Sequence, residues 1–119
     1  MKDPDDIWAM EEGFWLDGPD FFRRHQAPDA IMAFPGPVGV IQGEAIVRTL
    51  EGAPRWDSVQ MDRRSMAQAP GATAIAYRAT GQREGQPAYH ALCTTTYAAT
   101  DGDWLLLAHQ QTPLMPPEG

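Results

Sequence analysis

The side chain best suited to chemistry in this sequence is the imidazole of His109, close to the end of the chain. It lies in the run Trp104 to Thr112, which predicts a β-strand whose alternation places it on one face with Leu107 and Gln111. Imidazole titrates near neutral pH and therefore suits general acid or base catalysis. A core histidine bonded to a backbone carbonyl or a tyrosine hydroxyl fits the same pattern, so both interpretations stay open.

Glu11 is the acidic side chain that could assist His109. It shares one stripe of the first predicted helix with Trp8 and Trp15. If this stripe faces the interior, Glu11 is a buried carboxylate and a second candidate catalytic group. A solvated helix face explains the same spacing equally well.

A second histidine, His90, lies in a predicted strand rich in threonine and tyrosine, where it shares a face with Thr94 and Thr96. It could join His109, or it could be an exposed residue at the end of a strand. Cys93 points to the opposite face, where we expect an inert apolar side chain rather than a nucleophile.

Bulky aromatic side chains are numerous for a chain of 119 residues. Ordinary core filling explains many of them, but some could line an apolar pocket with a few polar groups, which is the usual anatomy of a small-molecule site. The candidate ligand-binding residues are Trp8, Trp15, Phe34, Tyr77, His90, Thr94, His109 and Gln111.

Composition argues against several other partners. The net charge of -7, with basic clusters of only two residues at Arg23-Arg24 and Arg63-Arg64, disfavours nucleic acid and anionic membranes. The longest apolar stretch, Trp104 to Ala108, is too short to span a bilayer, and no apolar run follows the N-terminal residues. We therefore expect a cytoplasmic protein.

Cofactor signals are also missing from the sequence. The three histidines, at positions 25, 90 and 109, lack the spacing of a metal site, and the run Pro35 to Gly39 lacks the lysine of a phosphate-binding loop. The single cysteine excludes an internal disulfide. We expect neither a metal nor another cofactor.

The helices and strands that must position these residues are predicted from the breaks between elements and from the periodicity of apolar residues. Three helices are predicted first, and long strands in hairpin succession follow them. The helices cover about Asp3 to Leu16, Phe21 to Gln26 and Ala45 to Leu50; the strands cover Ala30 to Phe34, Val38 to Gln42, 57–68, 72–82, 87–100 and 104–112. This pattern predicts one α+β domain over 1–119, with a core at about 5–113 and a loose tail at 114–119.

Four motifs in this order resemble those of the nuclear transport factor 2-like superfamily, in its SnoaL-like and ketosteroid isomerase-like branch. They are Gln26 to Ile31, Val40 to Ile46, Thr94 to Tyr97 with the following turn, and Trp104 to Pro113. The resemblance implies three helices packed in the concave face of a strongly curved, mostly antiparallel sheet. This cone would hold a central pocket, and the outer sheet face would form a homodimer.

The resemblance also implies that the strand faces of His90 and His109 both look into the pocket. It places the carboxylate base of steroid isomerases at about Phe34, which cannot accept a proton. The family's helix tyrosine would fall near Met10 or Glu11, and its second acid near Thr94. Because these parts are missing, we reject ketosteroid isomerisation.

Three hypotheses for function remain at this stage. The first is binding of a small, largely apolar molecule in a pocket between the first helix, the Phe34 region and the last two strands. The second is a cofactor-free lyase or isomerase, similar to a polyketide cyclase, that uses His109 with Glu11 or His90. The third is a non-catalytic, dimeric interaction module.

Overall fold

The computed structural model describes residues 4–114 and has the α+β architecture that the sequence predicts. The elements are α1 (Pro4–Leu16), α2 (Pro19–His25), β1 (Gln26–Ala33), β2 (Val40–Gln42), α3 (Glu44–Leu50), β3 (Ser58–Ala69), β4 (Ala72–Gln82), β5 (Tyr89–Thr100) and β6 (Asp103–Pro113). From residue 115 onward, the tail predicted to be loose lies outside the described residues.

All six strands of this part of the chain form one sheet in the order β2-β1-β6-β5-β4-β3. Every neighbouring pair is antiparallel except β1 and β6, which are parallel. The three helices pack against one face of this sheet. The β2 strand is at an edge of the sheet, which suits the two prolines shortly before it, because proline cannot donate to a ladder.

β1 begins at Gln26, four residues earlier than predicted. The sequence suggested a break around Pro28, because proline has no backbone N–H to donate. The structure instead accommodates Pro28 by a shift in register between Gln26 and Ile31 in the pairing with β6. The strand therefore continues across Pro28, and only its regular pairing with β6 is interrupted.

Irregular pairing also bends the far side of the sheet. The register of β3 against β4 shifts between Asp62 and Ser65, and Arg63 has a positive φ of 51° at this point. An extra residue in one strand bends it and increases its twist. α1 contacts β3, so this bent part of the sheet lies against the first helix.

A second irregularity decides which side chains of β6 reach the core. The register between β5 and β6 shifts between Thr96 and Tyr97, which makes Leu107 an additional residue in β6. Leu106 is fully buried and His109 is buried, whereas Leu107 is 39% exposed. The expected common face of Leu107 and His109 is therefore wrong for Leu107, because simple alternation fails across a bulge.

This bulge can be tested with two adjacent alanine substitutions. We expect Leu106→Ala to lower the free energy of unfolding by about 2–5 kcal/mol, since it leaves a cavity in the core. The matched control Leu107→Ala removes the same atoms from an exposed position and should change stability by less than about 0.5 kcal/mol. Urea denaturation measures both, and similar losses would contradict the register described here.

Candidate functional site

The centre of the molecule contains a fully buried carboxylate, that of Glu11 on α1. Its oxygen Oε1 accepts a hydrogen bond of 2.6 Å from the Tyr97 hydroxyl, and Oε2 accepts one of 2.7 Å from the Thr95 hydroxyl. The Tyr77 hydroxyl also donates to Oε2. A charge taken out of water must be compensated by such donors, so α1 is tied at this point to both β4 and β5.

Both tyrosines remain protonated donors. Burial, and then the negative charge of Glu11, raise the pKa of Tyr77 and of Tyr97 well above the ordinary value of 10.0. The indole N–H of Trp15 donates to the Tyr77 hydroxyl at 2.9 Å. This bond fixes the phenol so that its single proton is directed to the carboxylate.

The imidazole of His109 lies on the other side of Thr95. Its Nδ1 is 2.7 Å from the Thr95 hydroxyl oxygen and 3.6 Å from Oε2 of Glu11. The Thr95 hydroxyl uses its single hydrogen to donate a hydrogen bond to Glu11. Its oxygen must therefore accept a hydrogen bond from the N–H at Nδ1 of His109. The neutral ring therefore carries its hydrogen on Nδ1, and Nε2 is left as an acceptor.

The next contacts agree with this assignment. The side-chain amide of Gln111 places its Nε2 at 3.1 Å from Nε2 of His109, where the amide donates to the unprotonated ring nitrogen. Oε1 of Gln111 accepts from the Tyr89 hydroxyl at 2.9 Å. Every proton in the chain from Tyr89 through Thr95 thus points toward Glu11.

Burial lowers the pKa of His109 below its ordinary value of 6.5, and the charge of Glu11 partly opposes this effect. The ring is consequently neutral at pH 7, with a basic lone pair on Nε2. A proton taken up there would form an imidazolium within 3.6 Å of the Glu11 carboxylate. Nε2 of His109 can therefore accept either a hydrogen bond or a proton from a bound molecule.

A cavity of about 140 Å³ adjoins this chain of polar groups. Its polar corner consists of Glu11, His109 and Gln111. The remaining wall is mainly apolar and includes Phe14, Trp15, Phe22, Met32, Phe34 and Leu106. An apolar chamber with a few convergent polar groups is the usual form of a small-molecule site.

Arg55 also lines the cavity, but its guanidinium is engaged elsewhere. It donates to the backbone oxygens of Phe14, Trp15 and Asp17 at 2.6 to 2.8 Å. These are carbonyls near the C-terminus of α1, which lack partners within the helix. Arg55 therefore holds the end of α1 with three of its five N–H groups.

The aromatic residues Trp56 and Tyr89 close one side of the site. Their rings stack with centroids 5.3 Å apart and an angle of 18°, and the guanidinium of Arg83 lies 3.9 Å above Trp56. Trp56 lies directly on Gly81, where a Cβ would approach the indole to 2.9 Å. Gly81 is thus required for this close contact.

The structure brings most of the predicted site residues together. Glu11, Trp15, Phe34, His109 and Gln111 all line the cavity. Tyr77 lies behind Glu11, in hydrogen-bond contact with it.

Trp8 does not line the cavity. Its ring contacts Tyr77 edge-on at 5.6 Å, and the guanidinium of Arg64 covers it at 4.8 Å. Trp8 therefore packs beside the buried hydrogen-bond network, on the side away from the cavity lining.

His90 and Thr94 lie on the outer face of the sheet, and their predicted inward orientation is wrong. Thr94 is exposed and accepts a hydrogen bond from Gln110, whereas His90 pairs with Thr80 across the strands. The inward face of β5 is the other one, which carries Cys93 and the residues that bind Glu11. Neither residue can reach the cavity from its position.

Sequence reasoning missed Thr95, Tyr97 and Tyr89 as members of the polar network. The three consecutive threonines from position 94 hide which face of β5 is buried. The available signal was that Cys93 and Tyr97 share a face with Thr95, and this face is the more apolar one. Burial at Cys93 raises the pKa of its thiol to about 12, so this thiol is inert at neutral pH.

Residues 4–114 offer neither a metal-binding cluster nor a membrane-spanning helix. These residues contain no group of three or more histidine, cysteine or acidic side chains that could hold a metal ion. Their helices also include none that is long and apolar enough to cross a membrane.

Comparison with known proteins identifies the fold. No protein-family model matches the chain, and no curated protein matches its sequence. A proposed ketosteroid isomerase from Parabacteroides distasonis superposes with a TM-score of 0.82 at 20% identity, over 97% of this chain and 90% of that chain. A nuclear transport factor 2-like protein from Cytophaga hutchinsonii gives 0.78 at 14% identity, over 96% of this chain and 100% of that chain.

The association domain of CaMKII from C. elegans is also similar, with a TM-score of 0.73 at 13% identity, over 91% of this chain and 90% of that chain. These likenesses concern the fold, since the sequences are distant. The chain has the nuclear transport factor 2-like, cystatin-like fold, as its four motifs predicted.

The role of the buried carboxylate can be tested with Glu11→Gln. The amide is neutral and offers one acceptor atom to three hydroxyl donors, so we expect a loss of about 2–3 kcal/mol in the free energy of unfolding. The control Glu12→Gln changes the same group on the exposed face of α1 and should cost less than about 0.5 kcal/mol. Equal effects of the two substitutions in urea denaturation would contradict the described network.

Proposed function

We propose that this chain binds a small, largely apolar molecule in the cavity beside His109 and Gln111. The observation that carries the proposal is a chamber of about 140 Å³ whose wall is mostly aromatic and aliphatic, with His109 and Gln111 hydrogen-bonded to each other in one polar corner. Such a corner orients a ligand, while the apolar wall supplies most of the binding free energy.

Binding is a better supported function than catalysis. His109 is the acid–base candidate of the alternative, a cofactor-free lyase or isomerase, in which Glu11 or His90 would assist it. Glu11 is engaged by three hydroxyls and has no exposed surface, so it is poorly placed to act on a substrate directly. His90 lies on the outer face of the sheet, so neither proposed partner of His109 can reach a molecule bound in the cavity.

Filling the cavity should abolish binding without unfolding the protein. Ile41 lines the cavity and is only half-buried, so Ile41→Trp extends an indole into the space of the ligand. With toluene as the probe, we expect amide shifts for cavity residues in the unmodified protein and none in this variant, as measured by two-dimensional NMR.

The control for this experiment is Gln60→Trp, at an exposed position on β3. It should bind toluene like the unmodified protein. If toluene causes no shifts in the unmodified protein, or if Ile41→Trp binds it equally well, the cavity is not a binding site for apolar molecules.

We also propose that two copies of the chain associate through the outer face of the sheet. This face exposes the large apolar side chains of Ile31 on β1 and Leu92 on β5, which are 46% and 47% exposed on either side of β6. Thr94, Thr96 and Ala108 lie between them and form a shallow apolar groove with Ile31. A contiguous patch of this kind is typical of a protein–protein contact, and the similar CaMKII domain is named for association.

A charge within this patch should separate the copies. We expect Ile31→Lys to shift the protein from dimer to monomer in sedimentation velocity, because a desolvated lysine without a partner is costly in an interface. Val38→Lys, in the loop between β1 and β2, changes a similarly exposed apolar residue and should leave the dimer intact. A monomeric unmodified protein would contradict the proposal.

A further inference from the structure

We propose that the ligand is a single-ring molecule that carries a hydroxyl group, and that this hydroxyl donates its hydrogen to Nε2 of His109. The inference rests on the proposed function and adds to it the size of the ligand and the polarity of its one recognised group. Two observations carry it: the volume of the cavity and the direction of the hydrogen bonds that end at Glu11.

The volume sets the size of the ligand. An engineered apolar cavity of roughly 150 Å³ in another protein binds benzene. The cavity beside His109 measures about 140 Å³ and has aromatic and aliphatic walls, so one six-membered ring fills it. A molecule built of several fused rings would extend beyond this volume.

The direction of the hydrogen bonds sets the polarity. Thr95 donates its single proton to Glu11, and this forces the hydrogen of His109 onto Nδ1. Nε2 is therefore an acceptor and pairs with a group that brings a hydrogen. A ketone, ether or ester oxygen brings none, and would face a lone pair on Nε2.

The amide of Gln111 shows that this acceptor position is in use. Its N–H donates to Nε2 of His109 at 3.1 Å, and its oxygen is held by Tyr89. Gln111 is only half-buried, so its side chain can turn aside when a ligand hydroxyl takes its place. The exchange gives up the bonds from Gln111 to His109 and from Tyr89 to Gln111 and forms one bond to the ligand, so the gain comes from burial of the ring.

Charged ligands fit this corner less well than a neutral hydroxyl. A carboxylate would lie close to the Glu11 carboxylate, whose like charge disfavours it. An ammonium group would share the wall with Arg55 and meet a Glu11 carboxylate that already has three donors. A hydroxyl needs one acceptor, and Nε2 of His109 supplies it.

Phenol and toluene test the inference, because they have nearly the same shape and differ in the hydroxyl. Their dissociation constants are measured by NMR titration for the unmodified protein and for His109→Leu, which removes the acceptor and keeps an apolar wall. We expect the affinity of phenol relative to toluene to fall by about tenfold in this variant, because the hydroxyl of phenol is then buried without an acceptor. His90→Leu, on the outer face of the sheet, should leave the ratio unchanged.

The outcomes separate this inference from the proposed function. If both probes bind and their ratio is the same in His109→Leu, the hydroxyl contact is wrong and the apolar binding site stands. If neither probe binds the unmodified protein, the proposed function fails and this inference fails with it.

A second measurement does not depend on the stability of any variant. The nitrogen chemical shifts of His109 in the unmodified protein should show the hydrogen on Nδ1. If the hydrogen is on Nε2 instead, the ring presents a donor to the cavity and the inference is overturned.

Discussion

The buried carboxylate of Glu11 is the constraint on which the interior of this protein depends. A carboxylate without exposed surface is tolerated only where donors surround it, and three hydroxyls from β4 and β5 meet this need. These hydroxyls fix the rotation of α1 against the sheet more exactly than apolar packing can. Apolar contacts tolerate small shifts, whereas short hydrogen bonds to a charge do not.

The same charge has an effect beyond its direct contacts. Because Thr95 has a single hydroxyl hydrogen and donates it in the hydrogen bond to Glu11, the carboxylate determines the tautomer of His109 across two successive hydrogen bonds. The amide orientation of Gln111 follows from that tautomer, and the role of Tyr89 follows from the amide. One acidic residue on a helix therefore determines which atoms at the cavity accept hydrogen bonds.

The sequence predicted the order and type of the elements because their signals are local. Proline and glycine mark the ends of α1, and alternation along β4 places Ile75, Tyr77 and Ala79 on one face, which is buried. The candidate site was predicted less completely, because strand faces depend on pairing. Alternation alone does not show which face of β5 is buried, and the bulge at Leu107 breaks the rule within β6. Local sequence carries little information on either feature.

The position of the acid separates this chain from the steroid isomerases, although the fold is shared. The resemblance implies a base at about Phe34 in such an enzyme, whereas Phe34 lines the cavity of this chain as an apolar ring. The acid of this chain lies on α1, where hydroxyls from two strands surround it. A base that must take a proton from carbon needs a free lone pair beside the substrate, whereas Glu11 uses its lone pairs to order the interior. The side chains around the cavity, and not the shared fold, therefore decide what the carboxylate does.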